Sequence, residues 1–382
     1  MDRSIQRRYY ALLLLALALA AAPATAAVKT ASSGGYWTND AIWTGGAPAA
    51  GDDAVIGPGV TVTADVATVM LNSLTNNGNL VFTGATAVVN ATNIDILGTV
   101  THPRQSATTT NALGQWIPDQ RVCFVCTNLT LSAGGSINVT GKGYKGGTTN
   151  LRGYGPGAGI SGNSGGSHGG RGGGNSDVTY GSAANPVDPG SSGSGQAGDV
   201  GGDGGGVVRI EAAGDVTLNG PILASGTGAD AGLNGGGGAG GSIYVACRKL
   251  AGAAGSRLSA GGASENFGRG GGGGGRIAVI YDTAAQAAAP VPATLFSTAP
   301  GITGGDVGTL YFPDNRLLPE TFPHSGQWMV KNFTNWGPAS LTLSNGWLRL
   351  PFAGFRLTVT NSLASYGSSA VTNRLQLYDA FV

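Results

Sequence analysis

Apolar and polar residues alternate in the middle of the chain, and the alternation recurs in three copies. When the copies are aligned on Gly141, Gly226 and Gly262, the residues two and four positions earlier are apolar. They are Val139 and Ile137, Ala224 and Ile222, and Ala260 and Leu258. A period of two is typical of β-strands whose alternate side chains face a core. The pattern therefore predicts strands that stack in register.

The same alignment extends further upstream. Sixteen residues before the reference glycine it aligns Val125, Ile210 and Ala246, and eighteen before it aligns Cys123, Val208 and Tyr244. We therefore expect one continuous core that contains Val125, Ile137, Val139, Val208, Ile210, Ile222, Tyr244 and Leu258. Fifteen residues before the glycine stand Cys126, Glu211 and Cys247, which we expect to point outward.

A glycine-rich insert follows the reference glycine in each copy, at residues 142–206, 227–241 and 263–275. Inserts at one repeat position are typical of loops on one face of a solenoid. Because a single coil cannot bury its own inner face, stacked coils would have to build the core. The pattern predicts an all-β fold, a right-handed parallel β-helix with glycine-rich insertions on one face. A β-sandwich with chance self-similarity is the alternative.

Four regions follow from these patterns and their flanks. Residues 1–26 are predicted to be a signal peptide, 27–102 an N-terminal β-domain or first coils, 103–282 the glycine-rich β-helix, and 283–382 a C-terminal β-region that opens with an Ala/Pro-rich linker at 283–292. No polar capping segment follows the apolar run 375–378. Solenoid ends need such a cap, so we expect either a missing C-terminal portion or a further β-helical chain there.

The first residues predict export. Arg3, Arg7 and Arg8 precede an Ala/Leu run at 11–22, and small residues at 24–26 offer a cleavage site. That run is shorter than a membrane span needs, and no later stretch is apolar enough for a transmembrane segment. We therefore expect a secreted, cell-surface or outer-membrane protein.

Composition excludes some partners. Charged residues make up 11% of the chain and the net charge is +1, which provides no basic surface for nucleic acid. Glycine accounts for 70 of 382 residues without the period of collagen. Hydrophobic residues reach 41%, enough for a packed core.

The inserts hold most of the candidate binding residues. Long loops on a rigid scaffold commonly carry binding sites, and glycine lets the backbone approach a ligand closely. The polar and aromatic residues expected on this face are Arg152, Tyr154, His168, Arg171, Tyr180, Glu265 and Arg269. The six tryptophans could stack on sugar rings, although filling or capping the core is the alternative for each.

Evidence for catalysis or a cofactor is thin. Asp199 and Asp203 form a Gly/Asp pattern typical of calcium loops, but one copy supplies few of the oxygens that calcium needs. The run 165–169 matches the G-x-S-x-G pattern inside a Gly/Ser tract where such matches arise from composition. Cys123 and Cys126 lie three residues apart, so in a strand they face opposite sides. We assign no catalytic residue, and no cofactor apart from this candidate calcium site.

Two resemblances add to this interpretation. The segment Tyr36-Trp37-Thr38-Asn39-Asp40-Ala41-Ile42-Trp43, with Gly78-Asn79-Leu80-Val81-Phe82, resembles the eight-glycine extracellular β-domain of secreted and cell-surface proteins. The runs Gly204-Gly205-Gly206-Val207-Val208-Arg209-Ile210 and Gly273-Gly274-Gly275-Arg276-Ile277-Ala278-Val279 are similar to the glycine-rich, pectin-lyase-like β-helices of bacterial surface proteins. The first resemblance implies an extracellular β-structure, and the second implies architecture without catalytic residues.

These observations together predict a secreted structural or adhesive β-helix protein that binds polysaccharide or another cell-surface glycan. The alternative is a carbohydrate-active enzyme, a polysaccharide lyase or glycoside hydrolase, on the same fold. An ice-binding surface is disfavoured because no Thr-x-Thr ladder recurs at one repeat position.

Overall fold

The computed structural model describes residues 26–148, 152–174, 178–196, 198–229, 235–264, 270–367 and 373–377. Twenty-two of its strands form one continuous sheet, and consecutive coils pair in parallel along it. The predicted parallel β-helix is confirmed. The predicted signal peptide lies outside the described residues, apart from its last position.

The first region consists of short strands that pair in parallel over two to five residues. They are β1 (Val28–Ala31), β2 (Gly35–Tyr36), β3 (Asp53–Ile56), β4 (Thr61–Ala64), β5 (Leu71–Asn76), β6 (Asn79–Phe82), β7 (Val89–Ile96) and β8 (Thr99–Thr101). A 3-10 helix at Asp40–Ile42 follows β2, with Asn39 accepting a hydrogen bond from the Ala41 N–H as its cap. Ile42 is buried beside Trp37 and Trp43, whose rings lie 5.0 Å apart in the core next to β1.

The middle region has three strands per coil and therefore three faces. The strands are β9 (Val122–Leu131), β10 (Ser136–Asn138), β11 (Val207–Ala212), β12 (Asp215–Leu218), β13 (Pro221–Leu223), β14 (Ser242–Cys247), β15 (Lys249–Gly252), β16 (Arg257–Ser259) and β17 (Arg276–Tyr281). The first face stacks the start of β9 with β11, β14 and β17. The second face stacks the end of β9 with β12 and β15, and the third face stacks β10, β13 and β16.

The third face has the predicted register. Ile137 pairs with Ile222 and Ile222 pairs with Leu258, and all three are buried. Val208 and Ile210 on the first face are buried as well. Alternation close to the reference glycine therefore predicted both the buried residues and the register of the third face.

The register predicted for the first face is wrong by one residue. Ile210 pairs with Phe124 and Val245, not with Val125 and Ala246. The reason is turn length, because the coil from Ile210 to the third face is one residue shorter than the coils before and after it.

A one-residue slip moves every side chain to the opposite face. Val125 and Tyr244, predicted to be core residues, are instead only half-buried on the outer side. Cys126 and Cys247, predicted to point outward, lie in the core with Ala212, the register partner of Cys126. The three cysteines, Cys123 included, are free and buried, and burial raises the pKa of Cys126 and Cys247 to about 12.

The C-terminal region continues the coils after a short helix, α1 (Thr283–Ala287), which lies where a linker was predicted. Gln286 of α1 is buried, accepts a hydrogen bond from the Leu250 N–H and donates one to the Leu250 carbonyl. It thereby pairs with the edge of β15 as a strand would. The strands that follow are β18 (Leu295–Ser297), β19 (Thr309–Phe312), β20 (Thr321–Phe322), β21 (Ser325–Val330), β22 (Asn335–Trp336), β23 (Ser340–Ser344), β24 (Trp347–Leu350), β25 (Arg356–Leu357), β26 (Ser362–Tyr366) and β27 (Arg374–Leu377).

The glycine-rich inserts all leave the coil between the third face and the next first face. Two further segments leave at this corner, residues 102–121 before β9 and residues 298–308 before β19. The inserts converge there, as predicted. Residues 141–148, 152–174, 187–206, 226–241, 261–275 and 298–308 form what we call the insert bundle, counting only the described positions within them.

Backbone hydrogen bonds connect the segments of the insert bundle with a period of three. In segment 270–275, successive N–H groups donate to residues 163–166, then 303–306, then 260–263, and the cycle repeats. Segment 236–241 shows the same repeat. Three residues per turn without internal hydrogen bonds is the geometry of a polyproline II helix. The inserts are therefore extended helices bonded to several neighbours at once.

Glycine is required for this packing. A Cβ atom built on Gly238 would lie well inside van der Waals contact of the Asp203 carbonyl, and one built on Gly272 would overlap the Gly238 carbonyl. Only a residue without a side chain allows backbones to approach so closely.

Candidate functional site

The loop before β9 begins with a buried polar side chain that closes it. Gln105 is buried, donates to the Gln120 carbonyl at 2.7 Å and accepts from the Asp119 and Gln120 N–H groups. Ser106 then donates through its hydroxyl and N–H to the two Asp119 carboxylate oxygens. The segment between these residues is held at its base and projects at the corner where the inserts leave.

Trp116 in this loop packs against tyrosines of the first long insert. Its ring centroid lies 5.2 Å from that of Tyr144 and 6.5 Å from that of Tyr154, edge to face in both cases. Tyr144 is buried and supports the indole from beneath, whereas Trp116 and Tyr154 are half-exposed. Edge-to-face pairs fix the orientation of the rings.

These rings form one side of a groove of about 430 Å³, which we call the Trp116 groove. It is lined by Thr108, Thr110, Trp116, Arg152, Gly153 and Tyr154. Arg152 is exposed at its margin. The groove therefore presents two aromatic rings, one guanidinium, two threonine hydroxyls and the Tyr154 hydroxyl, and none of its described lining residues carries a carboxylate.

The insert bundle holds Tyr154 in place. The Tyr154 N–H donates to the Ser192 hydroxyl at 2.7 Å, and the Tyr154 carbonyl accepts from the Ser192 N–H at 3.0 Å. Gly155 follows with φ of 101°, and a side chain there would overlap Tyr144 and Ser191. The aromatic wall thus rests on a fixed backbone.

The other predicted binding residues do not lie in this groove. His168 is fully buried, donates from Nδ1 to the Gly240 carbonyl, and packs its ring 4.7 Å from Tyr180. Burial lowers the pKa of His168 to about 3 and raises that of Tyr180 well above its usual range. Buried Arg276 of β17 donates to the Tyr180 carbonyl at 2.8 and 2.6 Å, which fastens the insert to the first face.

Arg171 is exposed on the insert bundle, and its carbonyl accepts the Asp306 N–H. Glu265 and Arg269 lie outside the described residues. Of the predicted residues that the structure describes, Arg152 and Tyr154 alone line the Trp116 groove, whereas His168 and Tyr180 contact each other at a buried position.

The two residues considered for calcium are not arranged as a cation site. Asp203 accepts from the Gly146 N–H through one oxygen and pairs with Arg104 through the other, both at 2.6 Å. Asp199 lies four positions earlier in the sequence. Within the described parts of the chain, no three His, Cys, Asp or Glu side chains form a group suited to a metal. With both Asp203 oxygens engaged, we do not propose a calcium site.

Ser167 of the G-x-S-x-G match is buried inside the insert bundle and accepts from the Gly172 N–H. No strand and helix flank it, so the geometry of a nucleophile elbow is absent at this position.

Tryptophans divide between core and surface. Trp37, Trp43 and Trp328 are buried in the core, whereas Trp116, Trp336 and Trp347 are half-exposed. The partners of Trp116 could not be read from spacing. Gln105 and Tyr144, which position this site, carried no recognisable signal in the sequence.

The fold defines the chain as a parallel β-helix protein with a glycine-rich insert bundle at one corner. Residues 42–152 match the family model of the G8 domain, which fits an extracellular β-domain. The match includes Thr108, Thr110, Trp116 and Arg152 of the groove. No curated protein and no solved structure matches the chain. Within the described residues, no helix combines the length and the apolar character that crossing a membrane requires.

Proposed function

We propose that this protein is secreted or displayed at the cell surface as a structural or adhesive β-helix, and that it binds polysaccharide in the Trp116 groove. The observation that carries the proposal is the half-exposed pair Trp116 and Tyr154, held beside Arg152 at the corner where the inserts converge. The G8 match supports an extracellular location.

The chemistry of the groove suits sugar rings. Aromatic rings offer broad apolar faces to the C–H surfaces of sugars, and their rigid side chains lose little entropy on binding. Arg152, Thr108 and Thr110 supply donors and acceptors for sugar hydroxyls. A wall fixed by buried Tyr144 and by Ser192 needs little rearrangement when a ligand binds.

Binding is favoured over glycoside hydrolysis by the composition of the groove. Most glycosidases need two carboxylates flanking the scissile bond, and the residues that line the Trp116 groove include neither Asp nor Glu. We therefore propose an adhesive function for this site and no catalytic one.

A glycan array with neutral and acidic polysaccharides tests the proposal, followed by affinity measurements on the glycan bound most tightly. Trp116→Ala should weaken binding about tenfold or more, as expected for loss of a central aromatic contact. Arg152→Ala should weaken it by a smaller factor. Point substitutions are preferable to deleting the insert, because residues 154–172 are bonded throughout to other bundle segments.

The matched control is Arg171→Ala, which removes an exposed arginine of the same insert outside the groove. It should leave affinity unchanged. Full binding by a folded Trp116→Ala variant, or equal losses in the Arg152 and Arg171 variants, would contradict the proposal.

A further inference from the structure

A second groove lies at the C-terminal end of the described coils. Its volume is about 590 Å³, and it separates the insert 298–308 from the outward side chains of the last first-face strands. Pro300, Ile302 and Asp306 of the insert line it on one side, and Trp347, Arg349 and Arg374 line it on the other. We call it the Trp347 groove. It lies outside the segment that matches the G8 domain.

Strand register brings three of these side chains into one row. Ser325 of β21 pairs with Trp347 of β24, and Trp347 pairs with Arg374 of β27. The guanidinium carbon of Arg374 lies 4.3 Å from the centroid of the Trp347 ring. This cation–π contact holds the guanidinium over the indole.

A second row of paired residues, Arg349 of β24 and Gln376 of β27, holds the insert in place across the groove. Arg349 donates from Nε to the Gln376 side chain at 2.9 Å and forms a two-pronged ion pair with Asp306 of the insert. Its donors and its charge are therefore engaged within the protein. The pair ties the insert to β24, so both sides of the groove are held at a set separation.

Arg374 differs from Arg349 in exposure and in pairing. It is exposed, and within the described residues its side chain has no ion pair. Asp306 neutralises Arg349, so the groove retains one positive charge on a guanidinium whose donors are available. A planar carboxylate is the group that such a fork binds best.

The rest of the lining suits a saccharide better than a small inorganic anion. Pro300 and Ile302 offer aliphatic surface, and Ile302 is 80% exposed. Gln376 offers its amide NH2 group, because its oxygen accepts from Arg349, and Ser325 offers its hydroxyl hydrogen, because its oxygen accepts from the Trp347 N–H. A volume in the range of ligand pockets leaves room for sugar rings next to the charged group.

We propose that the Trp347 groove binds an acidic saccharide, with the carboxylate of a uronic acid residue paired to Arg374. The sugar ring lies against the apolar wall, and its hydroxyls contact Gln376 and Ser325. This site is separate from the Trp116 groove and does not depend on the function proposed there.

Calorimetric titration of the full chain tests the proposal, with an oligogalacturonate as the probe and the same oligomer after reduction of its carboxyl groups as the matched ligand. We expect binding of the first and at least about tenfold weaker binding of the second. Arg374→Ala should weaken oligogalacturonate binding about tenfold, Arg374→Lys should restore part of the loss, and Arg356→Ala, which removes an exposed arginine of β25, should have no effect.

Trp116→Ala should leave oligogalacturonate affinity unchanged, which separates the two sites. Tighter binding of a sulfated oligosaccharide or of a poly-glutamate peptide than of the oligogalacturonate would overturn the assignment to a uronate. Equal affinity for the reduced oligomer, no binding at all, or an Arg374→Ala variant with a native circular dichroism spectrum and full affinity would overturn it as well.

Discussion

The coils and the insert bundle lie side by side but are held together by different parts of the polypeptide. In the coils, apolar side chains such as Phe124 and Ile210 fill the interior, and the backbone pairs in an ordinary parallel sheet. In the bundle, glycines occupy the closest contacts, and backbone N–H and carbonyl groups of different segments bond directly to each other.

This difference determines which amino-acid substitutions each region tolerates. A coil depends on the size of inward side chains, since a cavity in a packed core forfeits both burial and contacts. The bundle depends on having no side chain at its close backbone contacts, since a methyl group added there would displace a neighbouring backbone. Three predictions test this contrast, beginning with the largest effect.

The largest effect of any one residue should come from a core aromatic side chain. Phe124 is fully buried and packs edge to face on Phe82 at 5.1 Å. Phe124→Ala should lower the free energy of unfolding by about 4 kcal/mol, measured by urea denaturation. Val125→Ala, one position along on the outer side, should lower it by less than about 1 kcal/mol. Similar losses for the two variants would show that the register of the first face is wrong.

Acid should destabilise both regions through their buried histidines. Burial lowers the pKa of His102 and of His324 to about 4 and that of His168 to about 3, below the ordinary value of 6.5. Well above pH 6.5 these groups are neutral in both the folded and the unfolded state. As the pH falls from 6.5 towards 4, the unfolded chain takes up protons that the folded chain does not, so stability falls by up to about 3 kcal/mol for each histidine.

Unfolding free energies measured between pH 7 and 4 check this. His324→Gln, which keeps an acceptor for the Phe296 N–H now bonded to His324 Nδ1, should reduce the slope of stability against pH by about one of the three protons. A stability that stays flat from pH 7 to 5 would rule out neutral buried histidines.

The smallest effect should separate the bundle from the coils. Gly238→Ala places a methyl group against the Asp203 carbonyl and should cost about 2 kcal/mol. Hydrogen exchange should rise in the bundle while the first-face strands stay protected. Gly134→Ala, in an open turn with no atom within 4 Å of the added methyl group, should change stability by less than about 0.5 kcal/mol. Equal exchange in both variants would argue against a backbone-packed bundle.

Much of the architecture was predictable because a strand has a period of two that a buried face makes visible. The stacked Ile137, Ile222 and Leu258, and the common exit point of the inserts, followed from alternation and from glycine position. The error at Val125 and Tyr244 arose in the turns. A turn that is one residue longer or shorter does not change the hydrophobic pattern of the strands, but it exchanges their inward and outward side chains.

The sites were less predictable for a related reason. The sequence alone predicted the parallel β-helix and its glycine-rich inserts, and it offered Arg152 and Tyr154 as candidate binding residues on the first insert. The export signal stays a prediction. Only the tertiary structure decided that Trp116 meets Tyr144 and Tyr154, and that Arg374 lies over Trp347 while Arg349 is neutralised by Asp306. Each of these contacts joins residues from different coils. Because the turns differ in length from one coil to the next, the sequence alone does not specify which residues of two coils lie side by side.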